Sequence, residues 1–251
     1  MPNQLPIIIE REGNVLMVSL NNPEKRNALN SEMMGAAASA ISQVGDYKEL
    51  RAVVIRGKGS SFCSGAEVTS WKAEELQTLL KSIVQCPLPT IAYVHGVCLG
   101  GAMGLAGASD FVLAEDDTKF GFPEVRIGMV PAVISPYVAR KLNLGKIREL
   151  FITGELFDSS KALSMGFLYA VEKKGEDIAF RSLISDIEKG GPAAQSSIKR
   201  LLDGDTLRRE FEQREKELAE FISLVREGSE AKEGIRSFLE KRKPEWCNDD
   251  S

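Results

Sequence analysis

Glu124 is an acidic residue in surroundings that suit it to chemistry. It follows Pro123 in the segment FGFPEVRIGMVPA, residues 120–132, where most neighbours are apolar. A carboxylate among apolar side chains loses hydration, which raises its pKa and suits it to general acid/base catalysis. A surface glutamate at the start of a helix is the structural alternative, since acidic residues are common there. Considered alone, the segment favours that alternative.

The segment SSFCSGAEV, residues 60–68, combines small residues with a position just after a predicted buried strand. Ser64, Gly65 and Ala66 would allow a ligand to approach the main chain, whose N–H groups could then act as donors. An ordinary tight turn is the alternative, and this segment alone favours the turn.

The segment HGVCLGGAMGLAGASD, residues 95–110, places Gly100 and Gly101 between a strand and an Ala/Gly-rich helix. A helix N-terminus presents unpaired N–H groups and the positive end of the helix dipole, which can hold an anion or a developing oxyanion. A small-residue helix made for close packing explains the pattern equally well. Together, the three segments offer two oxyanion donors and one carboxylate, a set suited to chemistry next to a carbonyl.

Several other catalytic patterns are missing from the sequence. His95 is the only histidine and follows the β-rich run TIAYV, so we interpret it as a structural residue at a strand end. The sequence has no HExxH or EF-hand pattern, no GxSxG, and neither a P-loop nor GxGxxG around Gly100 and Gly101. We therefore expect no catalytic metal, no serine-histidine triad and no phosphate-binding loop.

The composition bears on partners and location. With 43% hydrophobic and 27% charged residues the chain has the balance of a soluble globular protein, and a formal charge of −4 gives no reason to expect a nucleic-acid partner. No apolar stretch reaches the roughly 18 residues of a membrane span, and the start MPNQLPIIIEREG lacks a secretory pattern. The four cysteines show no CxxC spacing, which favours reduced thiols in a cytoplasmic protein.

The elements that must position these segments alternate between strand and helix in the first half of the chain. The predicted strands are 7–9, 15–20, 52–57, 90–94, 111–116 and 119–122. The predicted helices are 31–44, with Asn30 or Ser31 as N-cap, 71–85, 206–226 and 230–242. These patterns indicate an α/β core followed by a helical C-terminal region. The apolar stripes of the last two helices would suit contacts between subunits or packing on the chain's own core.

Four segments occur in an order typical of one known family. They are NNPEKRNALN (21–30), GSSFCSGAEV (59–68), VHGVCLGGAMGLAGASDFVLAEDDTKFGFPEVRIGMVP (94–131) and TGELFDSSKALSMGFLYAV (153–171). In this order they resemble the crotonase superfamily, also called the enoyl-CoA hydratase/isomerase family. The resemblance implies an α/β fold, a crotonase-like spiral of ββα units. It also implies a core of residues 1–195 and a helical oligomerisation region of residues 196–251, which would build a homotrimer or a dimer of trimers.

The resemblance also assigns residues to a site. The backbone N–H groups of Ala66 and Gly101 would polarise the thioester carbonyl of an acyl-CoA substrate, and Glu124 would transfer a proton. Coenzyme A contacts are expected at Lys25, Arg26, Ala28, Ser64 and Gly65. Because coenzyme A is part of the substrate, the resemblance implies no separate cofactor and no metal.

The chain departs from two-glutamate hydratases around the acyl group. Those hydratases carry a second glutamate at the position of Gly104, and VPAVISPYVARKL stands here in place of their PGxGGTQRL segment. Val133, Ile134 and Tyr137 are therefore expected to line the acyl pocket. This variant is similar to bacterial methylglutaconyl-CoA hydratases, which act on branched intermediates.

The resemblance favours an enoyl-CoA hydratase, which adds water across the 2,3-double bond through a stabilised enolate. A Δ3,Δ2-enoyl-CoA isomerase is the alternative, because a single carboxylate can take a proton from C2 and return it to C4. A non-catalytic acyl-CoA binder is a third interpretation, and the retention of Glu124 argues against it.

Overall fold

Nine strands form two sheets in the computed structural model, which describes residues 5–67, 71–202 and 217–246. They are β1 (Ile7–Glu12), β2 (Val15–Leu20), β3 (Ala52–Gly57), β4 (Thr90–Val94), β5 (Val97–Leu99), β6 (Phe111–Glu115), β7 (Lys119–Gly121), β8 (Leu156–Asp158) and β9 (Ala170–Glu172). The larger sheet has the order β1-β2-β3-β4-β6-β9. Its first pair is an antiparallel hairpin, and its other pairs are parallel.

Most connections between successive strands of the large sheet contain a helix. They are α1 (Ser31–Ser42), α2 (Ala73–Gln85), α3 (Gly101–Ala108), α4 (Ser135–Val138), α5 (Leu144–Thr153), α6 (Ser159–Ser164), α7 (Ile178–Lys189), α8 (Pro192–Leu202), α9 (described over 217–227) and α10 (Ser229–Leu239). Short 3-10 turns occupy Pro23–Lys25, Val44–Asp46 and Pro123–Ile127. Of the two predicted caps of α1, Asn30 is the one observed, because its side chain accepts a 2.9 Å hydrogen bond from the Met33 N–H.

The smaller sheet, in the order β5-β7-β8, is what turns the chain into a spiral. β4 of the large sheet leads directly into β5 of the small sheet and then into α3. β3 is followed in the same way by Cys63, which forms a parallel bridge with Cys98 of β5, and then by α2. The turns that begin with β3 and β4 therefore each contribute one segment to each sheet before the next helix.

The central strands of the large sheet are buried on both faces. Val53 and Ile55 of β3 belong to the main core, which includes α1, α2 and α3. Val54, between them, lies in a second cluster with Leu183 and Ile187 of α7. Successive side chains of a strand point to opposite faces, so a central parallel strand covered on both sides is apolar throughout.

The predicted α/β core with a helical C-terminal region is confirmed, and the differences concern the short elements. β5 and β8 were missed because three residues are too few to show a period, and the strand predicted over 119–122 ends at Gly121. Residues 203–216 lie outside the described part, so the helix predicted over 206–226 is observed only from residue 217. The division predicted at residue 195 falls within α8 and stays a prediction. None of the described helices is long and apolar enough to cross a membrane.

Candidate active site

Three segments of the small sheet run in parallel and end side by side. β5 pairs in parallel with β7 on one side and with Cys63 on the other. Because the carboxyl ends of parallel segments meet at one edge, the residues that follow them are brought together. These residues are Ala66 after Cys63, Gly101 after β5 and Glu124 after β7. The three segments that carried chemistry in the sequence therefore converge on one edge.

The backbone N–H groups of Ala66 and Gly101 lie close together, since a Cβ atom on Gly101 would be 3.3 Å from the Ala66 nitrogen. Leu29 N–H donates to the Gly65 carbonyl and Glu67 N–H donates to the Leu29 carbonyl, each at 2.8 Å, so the Ala66 N–H faces away from Leu29. Gly101 is the first residue of α3, where the helix supplies no acceptor. Neither amide donates to an acceptor among the described residues, so a single external oxygen could accept from both.

Two glycines make this close approach possible. Gly65 and Gly100 have φ values of 105° and 52°, a region that strains other residues. A Cβ atom on Gly65 would lie 2.9 Å from the Leu99 carbonyl oxygen, and one on Gly100 would lie 3.1 Å from Oε1 of Glu124. A side chain at either position would push apart the segments that hold the amides and the carboxylate.

The Glu124 carboxyl group is buried beside Gly100 although the residue as a whole is half-buried. Its Oε2 atom is inaccessible to solvent and has no hydrogen-bond partner among the described residues. Burial raises the pKa of Glu124 to about 7, opposed by the residue's own backbone N–H, which lowers it. A carboxyl group with this pKa can both accept and release a proton near neutral pH.

Residues 10–249 of the chain match the family described as enoyl-CoA hydratase/isomerase. The chain belongs to this family. A Thermus thermophilus protein named as an enoyl-CoA hydratase is 33% identical over 253 residues, covering 94% of this chain and 98% of that protein. A cyclohexa-1,5-dienecarbonyl-CoA hydratase of Thauera aromatica is 26% identical and covers 97% of both chains.

The crystal structure of an enoyl-CoA hydratase from Mycobacterium avium matches with a TM-score of 0.88 and 31% identity, covering 96% of this chain and 99% of that chain. The predicted crotonase fold is therefore confirmed. The chain is an enzyme of this hydratase family, as predicted.

The position of the second family glutamate is filled by apolar side chains. A Cβ atom on Gly104 would lie 2.5 Å from Cγ2 of Ile134 and 3.3 Å from Cδ2 of Leu80. All of α3 is buried, and Ile134 lies directly before α4. Glu124 therefore has no carboxylate partner from this position of α3.

The residues predicted to contact coenzyme A lie together next to Ala66. Ser64 N–H donates to the Arg26 carbonyl at 3.0 Å, and the Ser64 hydroxyl donates to the Lys25 carbonyl at 3.3 Å. Ala28 N–H donates to the Lys25 carbonyl at 3.1 Å, which closes the loop. The structure thus joins the 25–28 loop to the Ser64–Gly65 segment that precedes the Ala66 amide.

Lys25 and Glu67 form an ion pair at the rim of this region. Nζ of Lys25 lies 2.5 Å from Oε1 of Glu67, and the Lys25 side chain is 60% exposed. Glu67 follows Ala66 directly, so it is the carboxylate that competes with Glu124 for the role of base. The Glu67 carboxylate is thus paired with a cation, whereas Oε2 of the Glu124 carboxyl group has no hydrogen-bond partner among the described residues.

Asn27 is a positioning residue that the sequence analysis missed. It is fully buried with a φ of 54°, and its Nδ2 donates to the carbonyls of Lys58 and Ser61 at 2.9 and 2.7 Å. Its Oδ1 accepts from the Asn22 N–H at 2.8 Å. One side chain therefore ties the 25–28 loop to the segment that precedes the Ala66 amide. The one available signal was an asparagine in a polar loop flanked by apolar residues, which is too common to identify the role.

The residues predicted to line the acyl pocket are buried. Val133, Ile134 and Tyr137 are 4%, 2% and 3% exposed. Ile134 reaches the Gly104 position, and a Cβ atom on Gly107 would lie 2.9 Å from the Tyr137 carbonyl oxygen. Ile134 and Tyr137 thus belong to the contact between α3 and the 131–138 segment, and the role of all three residues in the acyl pocket stays a prediction. His95, read as structural, follows β4 with a ring nitrogen 3.1 Å from the Gly59 carbonyl oxygen.

Proposed function

We propose that this protein is an enoyl-CoA hydratase in which the Ala66 and Gly101 amides stabilise an enolate and Glu124 transfers the proton. One observation carries the proposal. Two amide N–H groups that donate no hydrogen bond among the described residues lie near a buried carboxylate oxygen that has no partner there either. Preorganised backbone donors in a dry site are a strong source of transition-state stabilisation. The hydratase names of the relatives support the same reaction.

The reaction uses one carboxylate twice. Ionised Glu124 accepts a proton from water as the water oxygen bonds to C3, and the electron pair of the double bond moves toward the thioester carbonyl. The two amides stabilise the negative charge that develops on the thioester carbonyl oxygen. The enolate then takes the proton back from Glu124 at C2, which restores the carboxylate and adds both parts of water to the same face.

Coenzyme A would lie along the loop that joins Lys25, Arg26 and Ala28 to Ser64 and Gly65. The cations of Lys25 and Arg26 suit phosphate groups, and both side chains are exposed. A branched acyl group, as in methylglutaconyl-CoA, is the finer proposal for the substrate. It rests on Val133, Ile134 and Tyr137, which replace a glycine-rich segment with bulkier side chains.

An isomerase is the second candidate, and the filled Gly104 position favours it. With Ile134 and Leu80 at that position, the site has no second carboxylate there to hold the water. Moving a double bond from the 3- to the 2-position needs only one group, which takes a proton from C2 and returns it to C4.

The protein would act as a homotrimer or a dimer of trimers. Several large apolar side chains of the last two helices are at least half exposed in the single chain: Phe221, Leu224, Phe238 and Leu239. Apolar side chains grouped on two neighbouring helices are typical of a surface that another chain covers.

A substrate screen tests the proposed reaction. The purified protein is incubated with crotonyl-, 3-hexenoyl- or methylglutaconyl-CoA. The absorbance of the conjugated 2-enoyl thioester is followed, which falls on hydration and rises on isomerisation, and products are identified by mass spectrometry. A hydratase adds the mass of one water, whereas an isomerase leaves the mass unchanged, and Glu124→Gln serves as the control for contaminating activity. Conversion of 3-hexenoyl-CoA alone, with no change in mass, would replace the hydratase with the isomerase.

A further inference from the structure

The C-terminal helix α10 lies directly on the turn that carries Glu124. A Cβ atom on Gly234 would lie 2.4 Å from both the carbonyl carbon and the carbonyl oxygen of Ile127, and 2.8 Å from its Cα. All of these atoms are main chain, so no side-chain rotation could relieve the overlap. The backbone of α10 and the backbone of Pro123–Ile127 therefore touch with nothing between them.

A second glycine makes the contact reciprocal. Gly128, with a φ of 66°, would place a Cβ atom 2.8 Å from the Glu230 carbonyl group. The same residue closes the turn, because its N–H donates to Val125 at 3.1 Å, and the next N–H, of Met129, donates to the Glu124 carbonyl at 2.9 Å. The hydrogen bonds that fix the backbone of Glu124 thus come from residues at the edge of the contact with α10.

α10 is itself held in place by a charge cluster around Glu233. The carboxylate accepts hydrogen bonds from Arg242 at 2.6 Å, from Arg236 at 2.5 Å and from the Glu245 N–H at 3.2 Å. The hydrogen bond from Arg242, followed by that from Arg236, lowers the pKa of Glu233 to about 2, so the cluster stays charged at neutral pH. It joins α10 to the residues that follow it.

We propose that α10 is a positioning element for Glu124. Gly128 and Gly234 form the close backbone contact, here called the seat, that sets the position of the Pro123–Ile127 turn. The turn in turn places Glu124 relative to the Ala66 and Gly101 amides. This inference rests on the proposed function, because it concerns the group that transfers the proton. Gly234 and Gly128 act through Glu124 and touch no reacting atom. Movement of α10 would change the position and the hydration of the carboxylate while the amides stay in place.

Gly234→Ala tests the seat, since a single methyl group overlaps the Ile127 backbone. The matched control is Gly35→Ala in α1, where a Cβ atom would meet no atom within 4 Å. We expect Gly234→Ala to lower kcat by roughly 10- to 100-fold, as a displacement of the order of 1 Å does, with little change in KM. The inflection of the kcat/KM-pH profile, which reports the free enzyme, should move from near 7 toward the ordinary glutamate value of 4.5 as the carboxyl becomes hydrated. Gly35→Ala should match the wild type in both.

Glu233→Gln is the second variant, and it tests the role of α10 if Gly234→Ala does not fold. It weakens the cluster that holds α10 without adding an atom, and hydrogen exchange of the α10 amides reports whether the helix has loosened. A loosened α10 with the wild-type kcat and inflection would overturn the inference, as would a folded Gly234→Ala protein with wild-type kinetics. The proposed function fails in a different way. It would be overturned if the pH profile of the wild type had no inflection that Glu124→Gln removes, so the two failures can be told apart.

Discussion

Burial of the Glu124 carboxyl group makes stability depend on pH in the sense opposite to that of a salt-bridged acid. Between pH 4.5 and about 7 the folded protein holds a proton that the unfolded chain has released. The free energy of unfolding therefore falls as pH rises through this window, by about 3 kcal/mol for this group. The contribution is complete below the unfolded value and is lost above the folded one.

We predict that Glu124→Gln removes this dependence. Urea unfolding of wild type and variant at about pH 5 and about pH 8 measures it. The wild type should lose stability relative to the variant between the two pH values. An equal difference at both pH values would show that the carboxyl is hydrated in the folded protein.

A side chain on Gly101 would crowd the Ala66 amide. A Cβ atom on Gly101 would already lie 3.3 Å from the Ala66 nitrogen, and the two γ carbons of valine would extend further. We predict that Gly101→Val lowers kcat by roughly 100-fold or more, the range for losing one oxyanion donor. Thermal melting and steady-state kinetics check it, and a variant with normal melting and normal turnover would exclude these amides from the mechanism.

Much of the arrangement of elements could be predicted because the large sheet leaves a clear pattern. β3 begins with the apolar run AVVI and β4 is mostly apolar, as is typical of strands covered on both faces. α1 shows helical spacing and a polar cap. The chemistry of Glu124 was accessible only in combination, because its segment alone favours a surface glutamate and the other two segments supply the oxyanion donors.

The contacts that assemble the site left no such pattern. β5, β7 and β8 are three residues each, and the parallel pairing that brings Gly101 to Glu124 is a property of the sheet. The filling of the Gly104 position by Ile134 and the seat between Gly128 and Gly234 join residues far apart in sequence. A glycine at a close backbone contact cannot be distinguished in sequence from a glycine in an open turn.

Replacing Asn27 tests whether its side chain holds the 25–28 loop in place. Asn27→Ala would leave buried carbonyls of Lys58 and Ser61 and the N–H of Asn22 without partners. We predict a loss of roughly 2–4 kcal/mol in stability, since each unsatisfied buried group costs about 1–3 kcal/mol, and a raised KM for acyl-CoA because the 25–28 loop loosens. Asn14→Ala, which removes an exposed hydrogen bond to Glu188, is the control and should cost less than about 1 kcal/mol. Similar melting temperatures for the two variants would contradict the role of Asn27.

At the scale of the whole molecule, exposed apolar residues of α9 and α10 lead us to expect a trimer or hexamer. Light scattering at micromolar concentration should give three or six times the 27.5 kDa chain mass. Leu224→Glu, at a side chain that is 69% exposed in the single chain, should shift the mass toward one chain without lowering the stability of the fold itself. A wild type that scatters only as a 27.5 kDa particle would contradict the assembly.

The central claim is that Glu124, one buried carboxylate facing two amides, transfers the proton. The most direct measurement is the turnover of Glu124→Gln and Glu67→Gln on the substrate found in the screen, with acyl-CoA affinity measured in parallel. Glutamine keeps the size and hydrogen bonding of each side chain and removes the exchangeable proton. We predict that Glu124→Gln loses roughly 100- to 10,000-fold in kcat, the worth of one acid/base group, while affinity and Glu67→Gln turnover stay near wild type. An active Glu124→Gln with an inactive Glu67→Gln would move the base to the first loop, and two active variants would contradict the one-carboxylate mechanism.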